Sequence, residues 1–498
     1  MSTPSLKLNA LSNWASLAVN VLIGLLLTPF IIRSLGKTGY GVWTLVCSFV
    51  GYYGMLDLGV RSAVTRYIAR YSVQRDGKAL NEVANTALVM FCSVGSLALV
   101  FSFLLAGPLA DFFKIDPAHR TDFVRLVWIL GVTTCISFPS GVFSAIVTAR
   151  EHFVAKNVVV VLEESMRAVL TVLFVTAGWG LVGVGMAPLT AAVAGAVCNL
   201  VLFRRYAGDI RVRLRYAEKK TLGMLLTYGG VTTVIVIADI LRINLDSFVI
   251  GRWVGVEAVG VYGVAALVIR YMARVITSGM GVLNPRFASL EGRGDTERLQ
   301  TLLLRSLRVA GILSLGMSFL AATFGPRFIV IWAGEEYAGA VPVLIILSTS
   351  YAFALAQNPG IALMYAVNKH HYYAFYTILE AIANVVLSIL LATRYGIIGV
   401  ALGTAIPLLA VKCLVMPIYV SKIGGVTLSQ YLKAFYLPVL VISLFVLASY
   451  ALDLKTLLVH CPLIEYVLIF VAFGVAYLTA SFLSLSHFKP KARPHIGS

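Results

Sequence analysis

Charge is scarce in this chain. Only 12% of its 498 residues are charged, and acidic side chains are the scarcest, 22 against 40 basic. No soluble protein of this length needs the apolar surface that such a composition implies. Long polar loops are missing as well: no gap between apolar runs exceeds about 25 residues. That excludes a soluble catalytic domain, a P-loop and a nucleotide site, so an enzyme is not expected. Work done by the chain must draw on an ion gradient, the membrane potential or the gradient of its own substrate. The six cysteines show no paired spacing, and five fall in apolar segments. They read as small buried hydrophobes, neither a disulfide framework nor a metal site. Histidine numbers seven, with one adjacent pair, His370-His371. Adjacent residues do not share a helix face, so no metal or other cofactor is expected.

What fills the chain is apolar sequence in about fourteen long segments, each near the ~20 residues that one helical crossing needs. The stretches 10–32, 83–105 and 466–485 are examples. The fold class is therefore all-α, a polytopic membrane protein. Lys and Arg collect in every second gap: alternate gaps, counted from the N-terminus, hold 26 of them and the other set holds 9. That asymmetry is the positive-inside rule and places both termini in the cytoplasm. The net charge of +18 then reflects topology and contact with anionic membrane lipids, and a nucleic-acid partner is not expected. The first apolar run is too long for a signal-peptide core and lacks a cleavage site, so it reads as a first transmembrane helix.

The chain repeats itself. Gly180-Leu181-Val182-Gly183-Val184-Gly185 returns as Gly396-Ile397-Ile398-Gly399-Val400-Ala401 at an offset of 216, and Glu164 falls on Glu380 at the same offset. Tyr40-Gly41-Val42 returns as Tyr262-Gly263-Val264, and Gly59-Val60 as Gly281-Val282, at an offset of 222. The repeat predicts two six-helix lobes, residues 1–203 and 222–420, joined by a basic cytoplasmic linker, 204–221. An even number of crossings gives both lobes the same orientation, a parallel repeat. Residues 421–498 supply two extra transmembrane helices and a cytoplasmic tail.

Ionisable groups at membrane depth cost about 2.5–3.5 kcal/mol each on insertion scales and mark functional sites. In the seventh segment Asp239, Arg242 and Asp246 share one helical face. They form either a self-neutralising ladder or the lining of a wet cavity. In the eighth, Arg270 and Arg274 are a like-charge pair at i, i+4, to be neutralised by a carboxylate on another helix or by a substrate phosphate. In the fifth, the spacing pairs Glu163 with Arg167 and leaves Glu164 pointing elsewhere. Glu164 and Glu380, at matching depth and without obvious partners, are candidate ion-coupling carboxylates, a structural hydrogen bond being the alternative. Lys412, between Pro407 and Pro417, is expected to be a cavity-facing cation. Asp57 and Arg61 read as a structural pair, and Pro139 and Pro359 as kinks or hinges. Tyr271, Tyr351, Tyr365, Tyr372 and Tyr373 could stack on sugars.

The stretch 20–75 carries Leu27-Thr28-Pro29-Phe30, Leu35-Gly36, Tyr40-Gly41-Val42-Trp43, Leu56-Asp57-Leu58-Gly59 and Arg66-Tyr67-Ile68-Ala69-Arg70-Tyr71. Together with Asn244-Leu245-Asp246, Ile250-Gly251 and Val259-Gly260-Val261-Tyr262, it resembles polysaccharide flippases of the Wzx type. These belong to the multidrug/oligosaccharidyl-lipid/polysaccharide exporter superfamily. The resemblance implies two lobes around a central cavity in the inner membrane, rocking to carry a polyprenyl-pyrophosphate-linked oligosaccharide outward for O-antigen, capsule or exopolysaccharide assembly. It implies a lipid-linked oligosaccharide substrate, polysaccharide polymerase machinery as a possible partner, and Arg242, Arg270, Arg274 and Lys412 as the cavity cations. The alternatives are a cation-coupled multidrug antiporter or a peptidoglycan-precursor flippase of the same architecture. The intramembrane segments hold five acidic residues (Glu163, Glu164, Asp239, Asp246, Glu380) against five basic ones, so composition does not decide between them.

Overall fold

The computed structural model describes residues 6–369, 371–451, 458 and 461–486; His370 lies outside them. Among the described residues every regular element is helical, as expected where lipid offers no water to satisfy the backbone. Among the described residues, nine helical stretches are long and apolar enough to cross a bilayer. Three of these, at 64, 54 and 53 residues, far exceed the roughly 20 that one crossing needs. Each is broken by a glycine with positive φ: Gly36 (φ 68°), Gly180 (φ 50°) and Gly396 (φ 55°). Nine stretches therefore contain more than nine runs of crossing length. Large apolar side chains such as Leu26, Leu104, Ile464 and Leu468 stay more than 60% exposed, which in water would be untenable and in lipid costs nothing.

The chain divides into two compact units, residues 1–260 and 261–498. The division falls beyond the 204–221 linker, because the seventh helix packs against helices of the first unit. The first unit is built from α1 (Leu6–Gly51), α2 (Val60–Gln74), α3 (Gly77–Phe112), α4 (Pro117–Ala149), α5 (Phe153–Phe174), α6 (Gly180–Tyr206) and α7 (Lys219–Trp253). Asp76 and Asp116 cap α3 and α4 through their side-chain oxygens, satisfying otherwise orphaned N–H groups. Small residues set the helix spacing. A Cβ on Gly131 of α4 would lie 2.4 Å from the Ser102 hydroxyl of α3, and one on Gly95 would lie 3.1 Å from the backbone of Cys135. Ser102 in turn hydrogen-bonds the Tyr53 hydroxyl at 2.7 Å. The linker after α6 is held to the start of α3. Asn81 accepts from the Arg211 N–H (2.6 Å), and Asn85 accepts from the Arg213 N–H and donates to the Arg211 carbonyl (both 2.8 Å).

The second unit takes in most of α8 (Val256–Met280), then α9 (Leu283–Gly292), α10 (Thr296–Ala333), α11 (Ala340–Ala356), α12 (Asn358–Ala366), α13 (His371–Leu409), α14 (Met416–Ile423), α15 (Leu428–Ala451) and α16 (Leu463–Ser486). Gly396 turns α13 back on itself. Asn384 donates to Thr404 (2.8 Å) and Ser388 to the Val400 carbonyl (3.4 Å) across the two arms. The two C-terminal helices lie on α10. Tyr466 and Tyr477 donate to the carbonyls of Phe324 and Ile312 (2.8 Å each), and the Arg327 guanidinium donates to the Cys461 carbonyl.

The repeat is visible in the backbone. Gly180 has φ 50°, ψ −128° and Gly396 has φ 55°, ψ −134°. That conformation belongs essentially to glycine. A further match lies at an offset of 219. Arg75 (φ 55°) and Gly294 (φ 65°) precede the capping residues Asp76 and Asp295, and Asn81 and Gln300 each bind a later linker, at Arg211 and Gly425.

Candidate functional site

Helix α8 carries two exposed arginines within an apolar run. Ile269, Met272 and Ile276 are buried, whereas Arg270, Arg274 and Thr277 are exposed. The spacings of four and three residues put these three on one face. The pair predicted from sequence therefore forms a basic stripe with a hydroxyl one turn further on. Thr277 also hydrogen-bonds the Ala273 carbonyl at 2.8 Å. Guanidinium groups so arranged can take a phosphate or diphosphate through charge-assisted, bidentate hydrogen bonds.

Helix α7 holds Arg242, partly buried, and Asp246, 5% exposed. The side chain of Asp239 lies outside the described residues. Asp246 acts electrostatically on Tyr52 of the first unit. Asn244 packs on Gly51, where a Cβ would come within 2.8 Å of its amide oxygen. This part of α7 is thus tied into the first unit through Gly51.

In α5 the pairing differs from expectation. Arg167 binds Glu164, its Nε 3.0 Å from Oε2, at a spacing of i, i+3. Glu163 turns to α6, its carboxylate lying where a Cβ on Gly195 would sit, within 2.7 Å. Spacing alone favoured Glu163–Arg167. The absence of a side chain at Gly195 opens room on the neighbouring helix, and Glu163 takes it.

Lys412 is also placed differently. It is 2% exposed, and so is Glu380, so in this structure Lys412 faces protein. Its Nζ lies 3.9 Å from Glu380 Oε2, 3.3 Å from the Tyr373 hydroxyl and 4.6 Å from the Tyr373 ring centre. A buried carboxylate attracts the cation because water offers neither an alternative. Lys412 stands on a π-helical segment, Ala410–Val415, whose widened turn frees backbone carbonyls. The amide of Gln357 donates to the Lys412 carbonyl at 2.7 Å and accepts from the Tyr431 hydroxyl. Glu164 and Glu380 are thus each paired with a base, Glu164 on its own helix and Glu380 across the Gly396 hairpin. Tyr373, read from sequence as a sugar-stacking candidate, belongs to this buried cluster.

Three residues were missed from sequence. Gln357 and Tyr431 complete the cluster just described. A glutamine inside an apolar run was the available signal for the first, and nothing marked the second. Arg308, counted with a cytoplasmic gap, is 3% exposed within α10. The Asp57–Arg61 pair forms as expected, at 2.8 Å. The Arg61 guanidinium also lies 5.5 Å and 5.6 Å from the ring centres of Phe91 and Phe138.

Residues 6–291 match the family described as Polysaccharide biosynthesis protein. The chain belongs to that family. It is 26% identical over 411 residues to the putative O-antigen transporter of Shigella flexneri, covering 80% of this chain and 94% of that one. It is 25% identical over 447 residues to the uncharacterized membrane protein EpsK of Bacillus subtilis, covering 86% of each. A lower identity, 22% over 453 residues, links it to the lipopolysaccharide biosynthesis protein WzxC of Escherichia coli, covering 89% of this chain and 87% of that one. Among solved structures, an inward-facing multidrug resistance MATE family transporter shares the fold. Its TM-score is 0.70 at 16% identity, covering 84% of this chain and 99% of that one.

Proposed function

We propose that this family member is a flippase. It moves polyprenyl-pyrophosphate-linked oligosaccharide units from the cytoplasmic to the outer leaflet of the inner membrane, by alternating access, for O-antigen, capsule or exopolysaccharide assembly. The observation that carries the reading is the exposed Arg270–Arg274 pair, with Thr277, on a helix whose one other charged residue, Glu257, lies in its first turn. A diphosphate headgroup bearing sugars cannot enter hydrocarbon, and two adjacent guanidinium groups are suited to replace its water. The relatives' names, an O-antigen transporter and a lipopolysaccharide biosynthesis protein, support the same substrate class. The positive-inside asymmetry supports cytoplasmic termini. The reaction is transport, and no covalent chemistry is assigned to any side chain. In this reading Arg242 assists Arg270 and Arg274 at the headgroup, Asp239 and Asp246 balance Arg242, and the repeat's two lobes are the moving parts. The buried Glu380–Lys412 pair is the candidate for coupling to protons, with Glu163 and Glu164 as its counterparts in the first half. Polymerase machinery would receive the product.

The test is translocation of a fluorescent polyprenyl-pyrophosphate oligosaccharide in proteoliposomes, with and without a pH gradient or membrane potential. The expected result is protein-dependent movement, lost in Arg270→Ala and Arg274→Ala while membrane insertion is retained. Wild-type transport by both variants would remove the arginine pair from the site. No movement by the native protein with the host's own glycan would favour the cation-coupled antiporter.

A further inference from the structure

The linker between α6 and α7 is no slack tether. Asn81 and Asn85 bind the backbone of Arg211 and Arg213, and Thr86 accepts from the Glu218 N–H at 3.0 Å. With its backbone fixed to α3, the segment presents Arg211, Arg213 and Arg215 as exposed side chains. Between them Val212 is 53% and Leu214 81% exposed. Alternating arginine with exposed aliphatic residues at the ends of two membrane helices suits a headgroup region, where the arginines meet phosphates and the aliphatics enter the acyl boundary.

Beside the linker lies a cavity of about 340 Å³ between α3 and the start of α7. Its walls are mostly apolar, from Val89, Met90, Val94, Ala217 and Leu222; Thr86 lines it beside Glu218 and Lys219, and Ser93 lies two turns further along α3. Glu218 is the one acidic side chain in the lining, set against Lys219 there and against Arg211, Arg213 and Arg215 on the adjoining linker. Asp209, earlier in the linker, is engaged by Arg150 at 2.5 Å, and Glu82, one turn before Thr86 on α3, lies 3.7 Å from Lys78. An apolar groove beside a basic linker suits an acyl chain joined to an anionic headgroup. The geometry points to an anionic phospholipid bound in this groove, one acyl chain along Val89, Met90, Val94 and Leu222 and its phosphate at Lys219 and the Arg213–Arg215 edge. Nothing in this inference depends on the transported substrate, since every residue it uses is remote in sequence from Arg270 and Arg274.

The experiment is native mass spectrometry of the full-length protein in detergent, titrated with phosphatidylglycerol or phosphatidylcholine of identical acyl chains. Wild type is expected to retain phosphatidylglycerol preferentially. Each basic side chain near an anionic headgroup is worth about fivefold, so Arg213→Ala/Lys219→Ala should weaken retention by about 25-fold. Leu222→Trp, which fills the groove and keeps every charge, should also abolish the preference. Arg293→Ala/Arg298→Ala, a pair of exposed basic residues of the second unit, should leave it intact. Equal retention of both lipids by wild type would overturn the proposal. So would loss in the charge variant without loss in Leu222→Trp, which would reduce the effect to surface charge. Preference for a polyprenyl phosphate over phosphatidylglycerol would likewise overturn it.

Discussion

Removing one member of the Lys412–Glu380 pair should destabilise the protein far more than removing both. The charges are 3.9 Å apart, with side chains 3% and 1% exposed. At an effective dielectric of about 20, two unit charges at that separation attract by about 4 kcal/mol. In Lys412→Met the carboxylate of Glu380 loses that attraction and stays buried among Tyr373, Asn384 and the Gly396 hairpin. Breaking such a pair costs about 3–5 kcal/mol, whereas replacing both partners with apolar groups is often neutral. Glu380→Leu leaves the Lys412 ammonium in the same position, though contact with the Tyr373 ring and hydroxyl softens its loss. The double variant Lys412→Met/Glu380→Leu should therefore recover most of what each single change costs. The assay is a double-mutant cycle on chemical unfolding of the detergent-solubilised protein, with transport measured on the same four proteins. A coupling energy below about 0.5 kcal/mol would refute the argument, because sites that do not interact add within that margin. A double variant that is stable yet inactive would assign the pair to coupling, and one that is stable and active would make it purely structural.

Gly180→Ala and Gly396→Ala should each cost about 1–3 kcal/mol, since both glycines adopt a backbone that a Cβ strains; thermal unfolding would show it, and an unchanged midpoint would contradict the dihedral match. Gln357→Leu strands the Tyr431 hydroxyl and the Lys412 carbonyl in the interior, at about 1–3 kcal/mol, measurable as a lowered unfolding midpoint. Asn81→Ala/Asn85→Ala should release the linker, seen as faster hydrogen exchange at Arg211 and Arg213 and as tryptic cleavage there under native conditions. Gly195→Leu should displace Glu163 and impair folding in the membrane, whereas Gly107→Leu, with no neighbour within 4 Å of a Cβ, should be tolerated.

The fold class was legible because one physical rule dominates it. Lipid forces apolar runs of crossing length, and the basic residues between them count the sides. The repeat was legible where glycine carried it, since Gly180 and Gly396 need the same rare dihedrals. It was not legible at Asp76 and Asp295, where Arg75 and Gly294 share a conformation without sharing chemistry. Arg270 and Arg274 could be singled out because like charges one turn apart repel; both are exposed. Pairing within the interior was not legible. Glu163 and Glu164 compete for Arg167, and the decision rests on space at Gly195, one helix away. Lys412 sits on a π-helical turn and faces Glu380 across a hairpin, a contact no local spacing encodes.

The two halves, compared at equal positions, show what the repeat keeps and what it exchanges. Glu164 and Glu380 coincide at the 216 offset, and so do the glycines that turn the helix pairs behind them. Their bases do not coincide. The first half neutralises its carboxylate with Arg167 on the same helix, a partly exposed pair. The position matching Arg167 in the second half is Ala383, and the position matching Lys412 in the first is Ala196. Conservation of the carboxylate through a change of partner argues that its place in the helix is what folding fixes. The location of its base then decides how much water it meets. A pair on one helix moves as a body and keeps its charge balance in any arrangement of the helices. A pair that spans a hairpin does so only while the hairpin stays closed. By that reasoning the second half, through Glu380 and Lys412, is where a change in helix packing would part a carboxylate from its base.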